Sequence, residues 1–180
     1  MELSLSIASA AREDIPAITR LINNAYRGDP GSRGWTSEGV FMEGERTSEA
    51  DMERLFDQPE KENFKCCTPE KEILGFVSLE KKSDSVYLGL LTVSPDAQAS
   101  GIGRQLLEFA ESHARNLHKP AIVITVINIR TELVGWYGRR GYLPTGKIEF
   151  FPPGIYNSKV PLHLIEMKKE ISPLQPPLFQ

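Results

Sequence analysis

Two closely spaced glycines, Gly101 and Gly103, follow an apolar run at residues 86–93 and open a segment whose apolar residues recur with helical spacing. A strand, a loop of small residues and the first turn of a helix direct several unpaired backbone N–H groups at one place. Glycine lets a bound group approach the backbone closely because it has no β-carbon. The pattern predicts a phosphate site where this helix begins. A tight strand-to-helix turn without a ligand is the alternative explanation.

The residues around these glycines lack the marks of the common nucleotide sites. No Gly-Lys-Ser or Gly-Lys-Thr sequence ends the loop, so we do not expect ATP or GTP hydrolysis. Leu106 occupies the position where a dinucleotide fingerprint has its third glycine. The expected ligand is therefore a phosphorylated molecule of another kind.

Two motifs in the chain resemble those of the GNAT N-acetyltransferases. Residues 93–106 read Val-x-Pro-x-x-Gln-x-x-Gly-Ile-Gly-x-x-Leu, which is similar to that family's acetyl-CoA-binding motif. Residues 136–142 read Trp-Tyr-x-x-x-Gly-Tyr, which resembles the family's next motif. The resemblance covers residues 86–142 and implies acetyl-CoA as cosubstrate. No metal is expected, because the three histidines are scattered at positions 113, 118 and 163.

The resemblance also implies a fold of the α/β (α+β) class. Its centre is a mixed, mostly antiparallel sheet with flanking helices. The parallel strands 86–93 and 121–127 are expected to splay apart at their carboxyl ends, which frees backbone groups for the amide-rich arm of the coenzyme. Gly89, inside an otherwise bulky strand, indicates a bulge or a close backbone approach there.

By the same resemblance, the coenzyme lies along the end of the first of these strands and the start of the following helix. The expected cofactor-binding residues are Leu91, Thr92, Val93, Gln98, Ala99, Ser100, Gly101, Ile102, Gly103, Arg104, Asn128 and Tyr137. A solvated surface arginine is the alternative interpretation of Arg104, and a turn cap is the alternative for Asn128.

Two of these residues are expected to act in catalysis. The Leu91 backbone N–H is placed to stabilise negative charge on the thioester oxygen. Tyr137 matches the family's tyrosine, and its phenol is expected to protonate the leaving thiolate. The alternative for Tyr137 is a core tyrosine that packs with Trp136 and Tyr142.

The base that deprotonates the amine is harder to name. The strand 86–93 contains no carboxylate, although many family members carry a glutamate there. The candidates are Glu38, Glu43 and Glu132, or a water channel without a dedicated base.

The segment 28–47 contains Gly34-Trp35-Thr36-x-Glu38 and Gly44-x-Arg46-Thr47. Through these motifs it resembles a subgroup of bacterial and fungal family members, with Phe150–Gly154 as a further counterpart. These segments would wall the acceptor side of the cleft. The expected substrate residues are Trp35, Glu38, Glu43 and Arg46, with the glutamates receiving a cationic amine and the arginine a carboxylate. Solvated loop charges are the alternative interpretation.

Composition limits the function further. The chain has 180 residues, of which 40% are hydrophobic and 25% charged, as in ordinary globular proteins. A net charge of −3 without a basic block disfavours nucleic-acid partners, and slightly favours cationic acceptors. No apolar run reaches membrane-spanning length and no secretion signal is evident, so we expect a cytoplasmic protein. The adjacent Cys66 and Cys67 are poor disulfide partners.

The periodicity predicts one domain, residues 1–171, followed by a proline-rich tail at 172–180. Strands are predicted at 2–9, 64–68, 73–81, 86–93, 121–127, 145–151 and 161–169, and helices at 14–27, from 48, at 101–118 and at 131–139. A strand, a helix and a strand in sequence form a parallel unit around residues 101–118.

We therefore expect an N-acetyltransferase in which a primary amine attacks acetyl-CoA directly within a ternary complex. The acceptor is a small-molecule or peptide amine, and a homodimer is compatible with the sequence. An enzyme for longer acyl groups is a close variant of this function. A non-catalytic acyl-CoA sensor of the same fold is the alternative from another class.

Overall fold

The computed structural model describes residues 5–28, 38, 44–152 and 161–171. Within these ranges the strands are β1 (Ser6–Ser9), β2 (Lys61–Cys67), β3 (Ile73–Lys81), β4 (Val86–Val93), β5 (Ala121–Ile127), β6 (Leu143–Phe150) and β7 (His163–Glu170). The α-helices are α1 (Ile15–Arg27), α2 (Glu49–Phe56), α3 (Ile102–Asn116) and α4 (Thr131–Gly138).

The strands form one sheet in the order β1-β2-β3-β4-β5-β7-β6. Every neighbouring pair is antiparallel except β4 and β5, which are parallel. Helix α3 connects this parallel pair, as a strand–helix–strand unit requires. The mixed, mostly antiparallel sheet that the family resemblance implies is confirmed.

Two neighbours in β3, Gly75 and Phe76, show which helices cover each face of the sheet. A β-carbon on Gly75 would touch Ile102 and Leu106 of α3, whereas Phe76 packs with α1 and α2. Successive residues of a strand point to opposite faces. Helix α3 therefore covers one face, and α1 and α2 cover the other.

The helices α2 and α3 begin in different ways. At α2, the Ser48 hydroxyl accepts a hydrogen bond from the Asp51 N–H, and the Asp51 carboxylate accepts one from the Ser48 N–H. Helix α3 begins after Gly101, whose φ is +87°, and no side chain in the described part of the chain caps it. Its first N–H groups therefore lack intrahelical partners.

Most predicted boundaries agree with the structure within a few residues. The strands predicted at 86–93 and 121–127 have the observed bounds, and the later strand predicted at 145–151 begins two residues earlier, at Leu143.

Both cysteines are buried free thiols. The predicted tail, residues 172–180, lies outside the described residues. None of the helices formed by the described residues combines the length and apolar character needed to cross a membrane.

Candidate active site

The parallel strands β4 and β5 pair only where they begin. Val86 is in register with Ile122 and Tyr87 with Val123, and over their described lengths the two strands share no later register. The hydroxyls of Tyr87 and Thr125 are 2.7 Å apart across the widening gap. Beyond this contact the strands border a cavity of about 850 Å³. The predicted splaying of these strands is confirmed.

A β-bulge lies in the part of β4 that borders the gap. Leu90 and Leu91 together lie opposite the single residue Val77 of β3. Leu90 has a φ of +52°, which is uncommon for a residue with a β-carbon. The sequence indicates a bulge or a close backbone approach at Gly89, one residue before Leu90. A β-carbon on Gly89 would lie 3.3 Å from the Tyr87 ring. Gly89 is therefore a site of close packing, and its neighbours form the bulge.

The loop between β4 and α3 lines one end of the cavity. It contains a short 3-10 turn at Pro95–Ala97, and Ala99 and Gly101 have φ angles of +69° and +87°. We call this the loop end. The cavity is lined by all but one of the residues predicted to bind the cofactor, namely Leu91, Thr92, Val93, Gln98, Ala99, Ser100, Gly101, Ile102, Gly103, Arg104 and Tyr137.

Gly103 is a glycine that the fold itself does not require. A β-carbon at this position would lie 3.6 Å from Val93 and 3.9 Å from Trp136, which are ordinary contact distances. Both neighbours line the cavity. A methyl group would thus fit the protein while taking space from whatever occupies the cavity.

Two arginines add positive charge near the loop end. The guanidinium of Arg140 lies 3.7 Å from the centre of the Trp136 ring and donates to the Trp136 carbonyl over 2.8 Å. Its Nε is buried and has no acceptor among the described residues, and desolvation lowers the pKa of Arg140. Arg104 is exposed and lies 3.7 Å from Glu108, so it combines a cavity position with a surface ion pair.

Tyr137 is buried in the wall of the cavity. Its ring packs edge-on against Trp136 and Tyr142, and no described residue forms a hydrogen bond with its hydroxyl. Burial, followed by the nearby Tyr26 and Tyr87, raises the pKa of Tyr137 well above the usual value for a phenol. The phenol therefore keeps its proton throughout the neutral range. Both interpretations of Tyr137, acid and core residue, agree with this placement.

The opposite end of the cavity lies at the end of α1, on the other face of the sheet. We call it the α1 end, and the residues that define it are Tyr26, Arg27, Glu38, Arg46 and Arg130. The Tyr26 hydroxyl donates to the Leu91 carbonyl over 3.1 Å. Burial of this hydroxyl, followed by the charge of Glu38, raises the pKa of Tyr26 to about 12.

The charges at the α1 end are arranged around Tyr26. The carboxylate of Glu38 accepts from Arg27 over 2.8 Å, and both side chains are largely buried. The Glu38 backbone N–H donates to the Tyr26 carbonyl over 2.6 Å. The Arg46 guanidinium lies 5.5 Å from the centre of the Tyr26 ring. Glu38 is the one carboxylate among the described residues that line the cavity.

Three predicted substrate or base residues remain, and the structure describes one of them. Trp35 and Glu43 lie outside the described residues. Glu132 is half-exposed and pairs with Arg130 without lining the cavity. Among the base candidates that the structure describes, Glu38 is therefore the one that lines the cavity.

Asn128 also lies away from the cavity lining. Its side-chain oxygen accepts from the His163 N–H over 3.1 Å, and its amide donates to the Pro161 carbonyl over 3.3 Å. These contacts fasten the end of β5 to the segment before β7. They favour the turn-cap interpretation of Asn128 over a cofactor contact.

The cavity residues that sequence reasoning missed include Tyr26, Arg130 and Arg140. A signal exists for each of them. Tyr26 continues the apolar spacing of α1 by one turn beyond Ile22, and Arg130 follows the end of a splayed strand. Arg140 lies inside the second motif, at a position for which the motif specifies no residue type.

A family comparison agrees with this arrangement. Residues 35–157 match the model of the acetyltransferase (GNAT) domain. The match covers most of the chain, including the loop end and Tyr137. The chain therefore belongs to the GNAT acetyltransferase family.

Individual relatives share less sequence. The chain is 29% identical over 102 residues to the peptidyl-lysine N-acetyltransferase YjaB of Salmonella typhimurium, covering 56% of this chain and 64% of that protein. The chain thus spans less than two thirds of this curated relative.

Solved structures show the same fold at low identity. The ribosomal-protein-S18-alanine N-acetyltransferase from Escherichia coli superimposes with a TM-score of 0.72 at 19% identity, covering 98% of this chain and 99% of that one. The spermidine N-acetyltransferase from Vibrio cholerae, solved with CoA and spermine, gives a TM-score of 0.67 at 18% identity. This superposition covers 93% of this chain and 95% of that one.

Proposed function

We propose that this chain is an N-acetyltransferase that moves the acetyl group of acetyl-CoA to a primary amine by direct attack in a ternary complex. One observation carries the proposal: a single cavity runs from the uncapped start of α3, through the gap between β4 and β5, to a charged end on the opposite face of the sheet. Such a passage admits two substrates from two sides and brings them together at the gap.

The loop end fits a coenzyme with a diphosphate. Backbone N–H groups at the start of α3 attract anions, and Arg104 and Arg140 add charge. The buried Nε of Arg140 has no acceptor among the described residues, and Gly103 leaves space that a β-carbon would fill. The residues that would hold the coenzyme are those of the loop end and the β4 bulge. When bound, acetyl-CoA supplies an activated acetyl group.

Leu91 and Tyr137 would act where the strands diverge. The Leu91 N–H is proposed to donate to the thioester oxygen, where a fixed donor counters developing negative charge. The buried phenol of Tyr137 holds its proton at neutral pH and is proposed to give it to the departing sulfur. A thiol has a usual pKa of about 8.5, so its thiolate is basic and protonation of the sulfur assists its departure.

Glu38 is proposed to accept the proton of the attacking amine, directly or through water. An alkyl ammonium has a pKa of about 10 and must lose a proton before it can attack. Glu38 lines the cavity, and its pairing with Arg27 holds the carboxylate in place. The names of the relatives support an amine acceptor, since peptidyl lysine and spermidine both carry a primary amine and the enzyme for the ribosomal protein is also named an N-acetyltransferase.

We propose that residues 1–171 form one catalytic domain. A panel of amines with acetyl-CoA tests the function: release of the free CoA thiol should accompany a mass increase of one acetyl group on an amine. Acetyl-CoA binding without turnover of any amine would indicate the sensor instead. An initial-rate pattern of intersecting lines would support the ternary complex, and parallel lines would contradict it.

A further inference from the structure

The α1 end of the cavity carries more positive than negative charge. Glu38 is already paired with Arg27, and Arg130 is paired with Glu132. Arg46 lies over the Tyr26 ring, and no carboxylate among the described residues is within ion-pair distance of its guanidinium. One arginine at this end therefore has an aromatic contact without a compensating carboxylate in the described part of the chain.

The chemistry of Arg46 suits a carboxylate ligand. A guanidinium presents its donors in a planar fork that matches the two oxygens of a carboxylate. The guanidinium carbon of Arg46 lies 5.5 Å from the centre of the Tyr26 ring, and such a cation–π contact leaves N–H donors for other partners. Arg46 is exposed, so a ligand can approach it without rearrangement of the core.

We propose that the acceptor is a small amine that also carries a carboxylate, as a free amino acid does, with Arg46 binding the carboxylate while the amine lies toward Glu38. Since this inference rests on the proposed acetyl transfer, it defines the acceptor of the same site. The two charges that such a molecule carries match the two signs of charge around Tyr26.

The local charges outweigh the charge of the whole chain. A net charge of −3 slightly favours cationic acceptors at long range. Inside a cleft, however, close charges dominate because Coulomb energy grows with shorter distance and lower dielectric. A linear polyamine would bring several positive charges beside three arginines and one paired glutamate. We therefore expect such polyamines to be poor substrates.

Matched acceptors test this inference directly. The standard L-amino acids, their carboxamides and a linear polyamine, spermidine, are each assayed with acetyl-CoA. The carboxamide keeps the amine and removes only the negative charge. We expect at least one amino acid to have a kcat/KM tenfold or more above that of its carboxamide, and above that of spermidine.

Three variants assign the preference to Arg46. In Arg46→Gln the advantage of the amino acid over its carboxamide should disappear through a higher KM, and Arg46→Lys should restore part of it. Arg54→Gln is the matched control, because Arg54 is an exposed arginine of α2 that pairs with Asp51 and does not line the cavity. This control should keep the wild-type preference.

The possible outcomes separate the two proposals. This inference would be overturned if the carboxamides or spermidine had a kcat/KM equal to that of every amino acid. It would also be overturned if the preference survived in Arg46→Gln. Either result would leave the proposed acetyltransferase activity intact. Binding of acetyl-CoA without turnover of any amine would overturn both the proposed function and this inference.

Discussion

The hydroxyl of Tyr26 donates a hydrogen bond to the carbonyl oxygen of Leu91, with 3.1 Å between the two oxygens. This contact joins the last turn of α1 to the bulge of β4, although the residues are 65 positions apart. Leu90, beside it, holds a φ of +52°. The contact therefore supports an unusual backbone shape at the place where the Leu91 N–H is proposed to act.

Tyr26→Phe tests this positioning role. Loss of the hydroxyl should lower kcat several-fold while leaving the KM for acetyl-CoA nearly unchanged, because the loop end is untouched. Stability should fall by about 1 kcal/mol, the usual net value of one hydrogen bond. Steady-state kinetics and urea unfolding check both effects. A fall in stability with unchanged kcat would reduce Tyr26 to a structural residue.

Tyr137→Phe addresses the proposed proton donor. We expect kcat to fall by about 100-fold, within the range of general acid catalysis, with CoA affinity retained. Tyr142→Phe is the matched control: its hydroxyl donates to Glu111 on the far side of the aromatic group, over 3.2 Å. The control should lose stability and keep kcat. Equal kcat values for the two variants would contradict the role of Tyr137.

Glu38→Gln addresses the proposed base. At neutral pH its kcat/KM should be well below that of the wild type, because no carboxylate accepts the ammonium proton. The deficit should shrink as the pH approaches about 10, where the amine loses this proton unaided. A pH–rate profile for both proteins provides the measurement. A deficit that stays constant with pH would mean that Glu38 only maintains the ion pair with Arg27.

The tyrosines predict the response to alkaline pH. Burial raises the pKa of Tyr26 to about 12, and those of Tyr137 and Tyr142 are raised further. A tyrosine in the unfolded chain has a pKa of about 10. The contribution of these buried phenols to folding stability is therefore complete below about pH 10, and it is lost as the pH rises through their raised pKa values in the folded chain. Phenolate absorbance should therefore show that the folded chain ionises fewer of its five tyrosines at pH 11 than the unfolded chain. Identical titration curves would contradict the burial of these groups.

The loop end could be predicted from the sequence because its signals are local. Pro95 follows the end of a strand, Gly101 precedes the first residue of a helix, and apolar spacing defines the elements on either side. The observed bulge, at Leu90 and Leu91, begins one residue after the position that Gly89 indicates, because strand register depends on the partner strand β3.

The α1 end could be predicted only in part. Glu38 and Arg46 were named from the resemblance, but Tyr26 gains its place through contacts with Leu91 and Arg46, which are distant in sequence. Asn128 shows the same limitation. Sequence alone does not decide whether a side-chain amide after a strand forms hydrogen bonds with a ligand or with a nearby segment of the same chain. Here the amide oxygen accepts from the backbone N–H of His163.

Calorimetric titration of CoA into Gly103→Ala and Gly138→Ala tests the central claim most directly. Both glycines are helical with room for a β-carbon, but Gly103 lines the cavity and Gly138, at the end of α4, does not. Replacing glycine with alanine in a helix stabilises by up to about 1 kcal/mol, so neither variant should unfold. We predict that Gly103→Ala weakens CoA binding tenfold or more, while Gly138→Ala binds as the wild type does. Wild-type affinity in both variants, or no CoA binding by the wild type, would contradict a coenzyme site at the start of α3.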